Sequence, residues 1–186
     1  MKATQVLRDE HEGILAMLAV VEAAAYRLRD GKSVPPDLMT NAVGFFRNFA
    51  DKCHHGKEEK ELFPALVERG VANEGGPVGV MLEEHDQGRA FVRGMKDAVD
   101  RYAAGDTTAV SALVSNTLGY VKLLREHIDK ENGVLFPMAD GVLNENEQGT
   151  LYDAFERIEA EEMGAGVHER YHAMIGEYGK LAAGWK

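Results

Sequence analysis

Apolar residues recur at spacings of three and four through most of the chain, as in Leu7, Ile14, Leu15, Leu18 and again in Phe45, Phe46, Phe49, which is the period of an amphipathic helix. No stretch alternates in the manner of a strand. Turn-forming residues interrupt the pattern at Gly31-Lys-Ser-Val-Pro-Pro36, Gly70-Val-Ala-Asn-Glu-Gly-Gly-Pro77, Gly105-Asp-Thr-Thr108 and Gly141-Val-Leu-Asn-Glu-Asn-Glu147. The segments between them predict four long helices, with Asp37 and Asp106 placed to cap the second and fourth and Pro77 opening the third. A shorter helix is expected from about Glu147 to Met163, then a Gly-Ala-Gly break and a last helix from about Val167 to Leu181. Short connections between long helices predict an all-α, antiparallel up-down-up-down four-helix bundle over residues 1–143. Residues 144–186 are expected to form a helical extension packed on the same domain.

The two halves carry the same pattern. His54-His-Gly-Lys-Glu58 followed by Leu62-Phe63-Pro64 is repeated as His127-Ile-Asp-Lys-Glu131 followed by Leu135-Phe136-Pro137. One helix earlier in each half stands a histidine among acidic residues, in Asp9-Glu10-His11-Glu12 and Glu83-Glu84-His85-Asp86. The offsets between halves are 73 residues from His54 to His127 and 74 from His11 to His85. Residues four apart share a helix face, so His54 with Glu58, and His127 with Glu131, can approach one ion. Their stripes continue into apolar positions: Phe46, Ala50 and Leu62 on the second helix, Tyr120, Leu124 and Leu135 on the fourth, Leu7 and Leu15 around His11, and Met81 and Val92 around His85.

All six candidates, His11, His54, Glu58, His85, His127 and Glu131, therefore face the expected core. Burying imidazoles and carboxylates there without partners costs several kcal/mol per charged group, and a metal cluster is the usual remedy. Four imidazoles and two carboxylates suit two ions bridged by the carboxylates, and iron, manganese and zinc all accept such donors. His55, turned about 100° from His54 on an α-helix, is either a bystander or a further donor. His168 and His172 share one face of the last helix, as a metal pair or as a surface arrangement, with one of them a candidate to reach the site. Cys53 reads as a small core residue, and Glu59 and Glu61 as solvated.

Charge and composition narrow the functions. Of 186 residues, 45% are apolar and 28% charged, and the net charge of −10 repels phosphate backbones and anionic headgroups. Nucleic-acid and membrane roles are not expected. The single cysteine cannot form an internal disulfide and the first residues are charged rather than apolar, which predicts a cytoplasmic protein. The apolar run Ile14 to Tyr26 is too short to span a bilayer.

The order His11, His54-x3-Glu58, His85, His127-x3-Glu131, with its paired Leu-Phe-Pro tails, resembles the hemerythrin-like (HHE cation-binding) family over roughly residues 3 to 140. The resemblance implies a non-haem di-iron centre with those four His and two Glu as ligands and an oxo or hydroxo bridge between the irons. It further implies binding of dioxygen, peroxide or nitric oxide, in oxidative or nitrosative stress, iron–sulfur repair or iron handling. Turnover of peroxide or nitric oxide, fed by an electron-donor protein, is one expectation; a non-catalytic oxygen or iron carrier or sensor is the other.

The oxygen carriers of the family have a His-x3-His pair in the third helix, where this chain has Met81 and Arg89 one turn either side of His85. One imidazole fewer leaves an additional coordination position open and favours reaction over carriage, unless His55, His168 or His172 fills it. With His11 near the chain start, the cysteine-bearing extension of repair proteins is not expected, nor is an attached signalling domain. A ferritin-like oxidase would need two Glu-x-x-His motifs; only Glu169 to His172 qualifies.

Overall fold

The computed structural model describes residues 2–164 and 166–185. Ala165 of the expected Gly-Ala-Gly break, and Met1 and Lys186 at the outer ends of the two expected segments, lie outside the described residues. The chain is helical throughout: α1 (Ala3–Arg29), α2 (Pro36–Phe45), α3 (Phe63–Glu68), α4 (Pro77–Ala103), α5 (Val110–Lys130), α6 (Phe136–Val142), α7 (Glu145–Glu162) and α8 (Val167–Ala183), with no strand among the described residues. No described helix is long and apolar enough to cross a membrane.

The second and fourth long segments are not plain α-helices. Between α2 and α3 the chain stays helical but passes through π turns at Phe46–His55 and Glu58–Leu62, and between α5 and α6 it does so at Glu131–Leu135. At Glu58–Leu62 and Glu131–Leu135 the wider winding has a local cause. Pro64 and Pro137 have no N–H to donate and crowd the carbonyl four residues back, and each sits in the first turn of the α-helix that follows the π turn. The repeated Leu-Phe-Pro thus produces the same relaxation twice, beside Glu58 and beside Glu131. The third long helix starts at Pro77 as expected, whereas Asp106, accepting from Thr108 N at 2.9 Å, caps the 3-10 turn Thr107–Ala109 that leads into α5 rather than α5 itself. Asp37 differs: it lies in the first turn of α2 behind Pro35 and Pro36 and makes no cap hydrogen bond. The shorter helix, α7, begins slightly earlier than predicted because Asn144 and Glu147 form a reciprocal capping box.

Helix packing follows the apolar stripes. α5 packs against both α1 and α4, α2 against α4, and α8 along α1. One core gathers Ile14, Leu18, Phe46, Phe49, Tyr120, Leu124 and their neighbours, and a second gathers Leu7, Leu62, Phe63, Met81, Leu135, Phe136 and Phe155. The stripe of α1 departs from the predicted line: Ile14 and Leu18 are buried, whereas Leu15 is exposed. α7 is not a loose appendage, since Leu151, Ala154 and Phe155 are buried. Within the two cores, the buried polar side chains of α1, α4, α5 and the π turns are His11, His54, His55, Glu58, His85, His127 and Glu131, together with Glu10, Lys57, Thr4 and Thr117.

Candidate metal centre

The six residues singled out by the repeat converge. Nitrogen and oxygen donors of His11, His54, Glu58 and Glu131 form one group within 4.8 Å of one another, and those of His55, Glu58, His85 and His127 form a second. The groups share Glu58: one oxygen lies 3.6 Å from His54 Nε2 and the other 3.4 Å from His85 Nε2. Glu131 lies between them as well, with Oε2 at 3.2 Å from His11 Nε2 and 3.3 Å from His127 Nε2. All seven side chains are buried.

Several of these atoms have nothing to bond. His11 Nε2, His55 Nδ1 and all four carboxylate oxygens of Glu58 and Glu131 are buried without a hydrogen-bond partner among the described residues. His11 Nε2 and Glu131 Oε2 are near each other, but not in hydrogen-bond geometry. Orphaned groups of this kind are rare in native interiors, and each costs about 1–3 kcal/mol or more if charged. Imidazole and carboxylate donors aimed at common points fit first-row transition-metal cations. The donor set present therefore fits a metal pair.

The outer nitrogens are spoken for. Nδ1 of His54 donates to Glu10 at 2.7 Å and that of His127 to Glu84 at 3.0 Å, while Nδ1 of His85 donates to Glu59 at 2.7 Å and that of His11 to Asn132 at 3.1 Å. Holding Nδ1–H against an acceptor fixes the tautomer and leaves the Nε2 lone pair for the centre. The braces repeat with the same offsets as the candidate donors. Glu10 and Glu84 each precede the histidine of their own helix, and Glu59 and Asn132 each follow a shared glutamate. Lys57 pairs with Glu10 and Lys130 with Glu84. Phe136 stacks on His11 with ring centroids 5.5 Å apart, as Phe63 does on His85 at 5.8 Å.

Glu59, expected to be solvated, is thus a bracing residue, held in turn by Arg89 at 2.6 Å. Glu10, Glu84 and Asn132 were not singled out by spacing; their signal lay in standing beside the repeated histidines and glutamates in both halves.

His55 joins the centre. Its ring stacks on that of His85 at 3.8 Å, although an ideal α-helix would turn it away from His54. Both residues lie in the π turn, where adjacent side chains are separated by a smaller rotation, and this brings His54 and His55 toward the same interior. The second half has Ile128 at the matching position, so His55 breaks the symmetry. His168 and His172 are not brought to the centre. They lie on α8 beside Glu159, with His168 edge-on to Phe49.

Burial and neighbouring charge compete across the centre. Burial opposes ionisation of Glu10, but contact with His54 and Lys57 prevails and holds its carboxyl at about 2. His85 is likewise disfavoured by burial yet lifted to about 9 by Glu58 and Glu59, and His11 is raised by Glu131 against the same penalty. His54 and His55 go the other way: burial lowers both, and for His55 the neighbouring imidazoles add to it. Burial also pushes the Cys53 thiol up to about 12, which makes it an inert core residue.

The family model described as the hemerythrin HHE cation-binding domain matches residues 2–139. An uncharacterized protein of Mycobacterium tuberculosis (strain ATCC 25618 / H37Rv) is 24% identical over 177 residues, covering 95% of this chain and 64% of that protein. The iron-sulfur cluster repair protein YtfE of Pectobacterium atrosepticum is 30% identical over 133 residues, covering 70% of this chain and 60% of the relative. YtfE of Musicola paradisiaca is 28% identical over 138 residues, covering 73% and 61%. The chain therefore spans somewhat under two thirds of the length of these relatives. No solved structure matches significantly.

Proposed function

The chain belongs to the hemerythrin HHE cation-binding family, and from that premise we propose that it is a cytoplasmic non-haem di-iron protein. Its ligand is dioxygen, peroxide or nitric oxide, and its setting is oxidative or nitrosative stress or iron handling. The observation that carries this reading is Glu58 shared between two groups of convergent, buried donors, with Glu131 lying between His11 and His127. His11 and His54 would hold one ion and His55, His85 and His127 the other, with both glutamates between them. The antiparallel up-down-up-down bundle over residues 1–143, with residues 144–186 as its extension, belongs to the same reading.

When bound, the iron pair supplies the electrons and the Lewis acidity that the protein's own side chains lack. The chain's residues do the rest. The Nδ1 braces present Nε2 lone pairs inward, and the Lys57 and Arg89 cations keep the Glu10 and Glu59 braces ionised. Phe136 against His11 and Phe63 against His85 give the centre apolar walls. His55 supplies the imidazole missing from the third helix, so the donors number five histidines and two glutamates, with no additional open position relative to the oxygen carriers. The side with two imidazoles has fewer protein donors, and a small ligand is expected there.

The relatives named for iron–sulfur cluster repair favour a stress-related role; its partner would be an electron-donor protein. The alternative, a carrier or sensor of oxygen or iron, is favoured by the full complement of imidazoles. Metal analysis with absorption spectroscopy on anaerobically purified protein, then exposed to air, hydrogen peroxide and nitric oxide, tests the proposal. Two irons per chain with ligand-dependent charge-transfer bands are expected. A spectrum that persists in air points to carriage, and rapid loss of peroxide points to turnover. Zinc alone, or no metal after anaerobic iron reconstitution, would overturn the di-iron reading.

A further inference from the structure

Two histidines outside the buried centre face each other across one turn of α8. His168 Nε2 and His172 Nε2 are 2.8 Å apart, and their rings lie at 4.7 Å and 28°. His168 is oriented like the histidines of the centre: its Nδ1 donates to Glu159 Oε1 at 3.1 Å, which leaves Nε2 to point away from the brace. The brace is itself anchored, because the other oxygen of Glu159 accepts from the fully buried Lys57 at 2.8 Å. Phe49 closes one side of His168 with an edge-on ring at 5.6 Å. The two histidines open onto a cavity of about 400 Å³ between α1, α7 and α8, which also presents the carboxylates of Asp9, Glu12, Glu156 and Glu159.

The sign of the charge in this cavity is distinctive. Among the described residues that line it there is no lysine or arginine, whereas a cavity of similar size beside His55 is rimmed by Arg47, Arg89, Arg93 and Lys96. One cavity suits a cation and the other does not. Paired imidazole nitrogens with carboxylate oxygens nearby suit divalent first-row metals, and an incomplete protein shell with solvent access suits a labile ion rather than a structural one.

We propose that His168 and His172 form a second, mononuclear site for a divalent first-row transition-metal cation. Glu159 orients it, and the open cavity leaves its remaining positions to solvent. The site is separate from the buried centre and does not depend on the identity of the metals there.

Calorimetric titration with Zn²⁺ of the full chain, after iron reconstitution and a count of the metals already bound, tests the proposal. One further equivalent of zinc is expected. His168→Ala with His172→Ala should abolish it without changing the iron count. Glu159→Gln should weaken it by roughly 10-fold or more, the range for loss of a carboxylate that orients a ligating histidine. Three results would overturn the proposal: no saturable zinc binding, binding unchanged in the double histidine variant, or binding lost with the histidines but indifferent to Glu159→Gln, which marks an adventitious surface pair only. All three histidine and glutamate positions are at least partly exposed, so circular dichroism is expected to be unchanged. A failure of the di-iron reading would appear in the initial metal count, not in the difference between wild type and variants.

Discussion

Glu10 reaches from α1 to accept a hydrogen bond from Nδ1 of His54 at 2.7 Å, and Glu84 on α4 does the same for His127 at 3.0 Å. The same residue type, one position before a candidate metal-binding histidine, thus braces a histidine on another helix in each half. Glu10→Gln and Glu84→Gln, which no longer enforce the tautomer, are each expected to loosen iron by about 10–100-fold. Competition with a chelator measures this. Unchanged retention in both variants would remove the bracing role.

His55 and the paired histidines should separate in a metal count. His55→Ala takes one imidazole from the three-histidine side, and a fall from two irons per chain toward one is expected. His54→Ala with His127→Ala takes one from each side and should leave no tightly bound iron while helicity persists. Two tightly bound metals in that double variant would contradict the donor assignment.

Metal uptake should strengthen with pH. In the metal-free protein burial disfavours the His85 cation, but Glu58 and Glu59 outweigh it and raise the group from 6.5 to about 9. That proton stabilises the metal-free fold in full below 6.5, and the contribution fades as pH rises through about 9. A cation must expel the proton to reach Nε2, so affinity should rise over that window and level off above it, with protons released on binding. Calorimetry in buffers of different ionisation enthalpy checks the release. An affinity that is flat or falling over the window would refute the prediction.

Phe136 links the second core to the centre through its ring contact with His11. Phe136→Ala is expected to cost about 3–5 kcal/mol in urea unfolding of the metal-free protein, through lost burial and the cavity left behind. Iron retention should fall too, because His11 loses the wall that sets its ring plane. Phe63→Ala should behave alike toward His85. A loss of stability without any change in iron retention would confine the two rings to packing.

Much of this architecture is legible in the chain itself. Apolar spacing of three and four predicts the helices, Pro and Gly clusters predict their breaks, and the doubled His-x3-Glu-x3-Leu-Phe-Pro marks six side chains that do converge. These features are local: a helical period, a turn residue and an i to i+4 relation are set by backbone geometry within a few residues.

The remainder depends on contacts between segments far apart in the chain. His55 enters the centre because the π turn Phe46–His55 reduces the rotation that separates it from His54, and an ideal period of 3.6 does not contain that change. Glu59 proves to be a brace rather than a solvated side chain because α4 brings His85 and Arg89 to it. His168 and His172 share a helix face in any reading, but the docking of α8 along α1 turns that face toward Glu159 rather than toward the buried donors. Spacing along a helix sets which side chains travel together. Which nitrogen meets which oxygen is set when helices more than forty residues apart in sequence, as for His54 and Glu10, pack into contact.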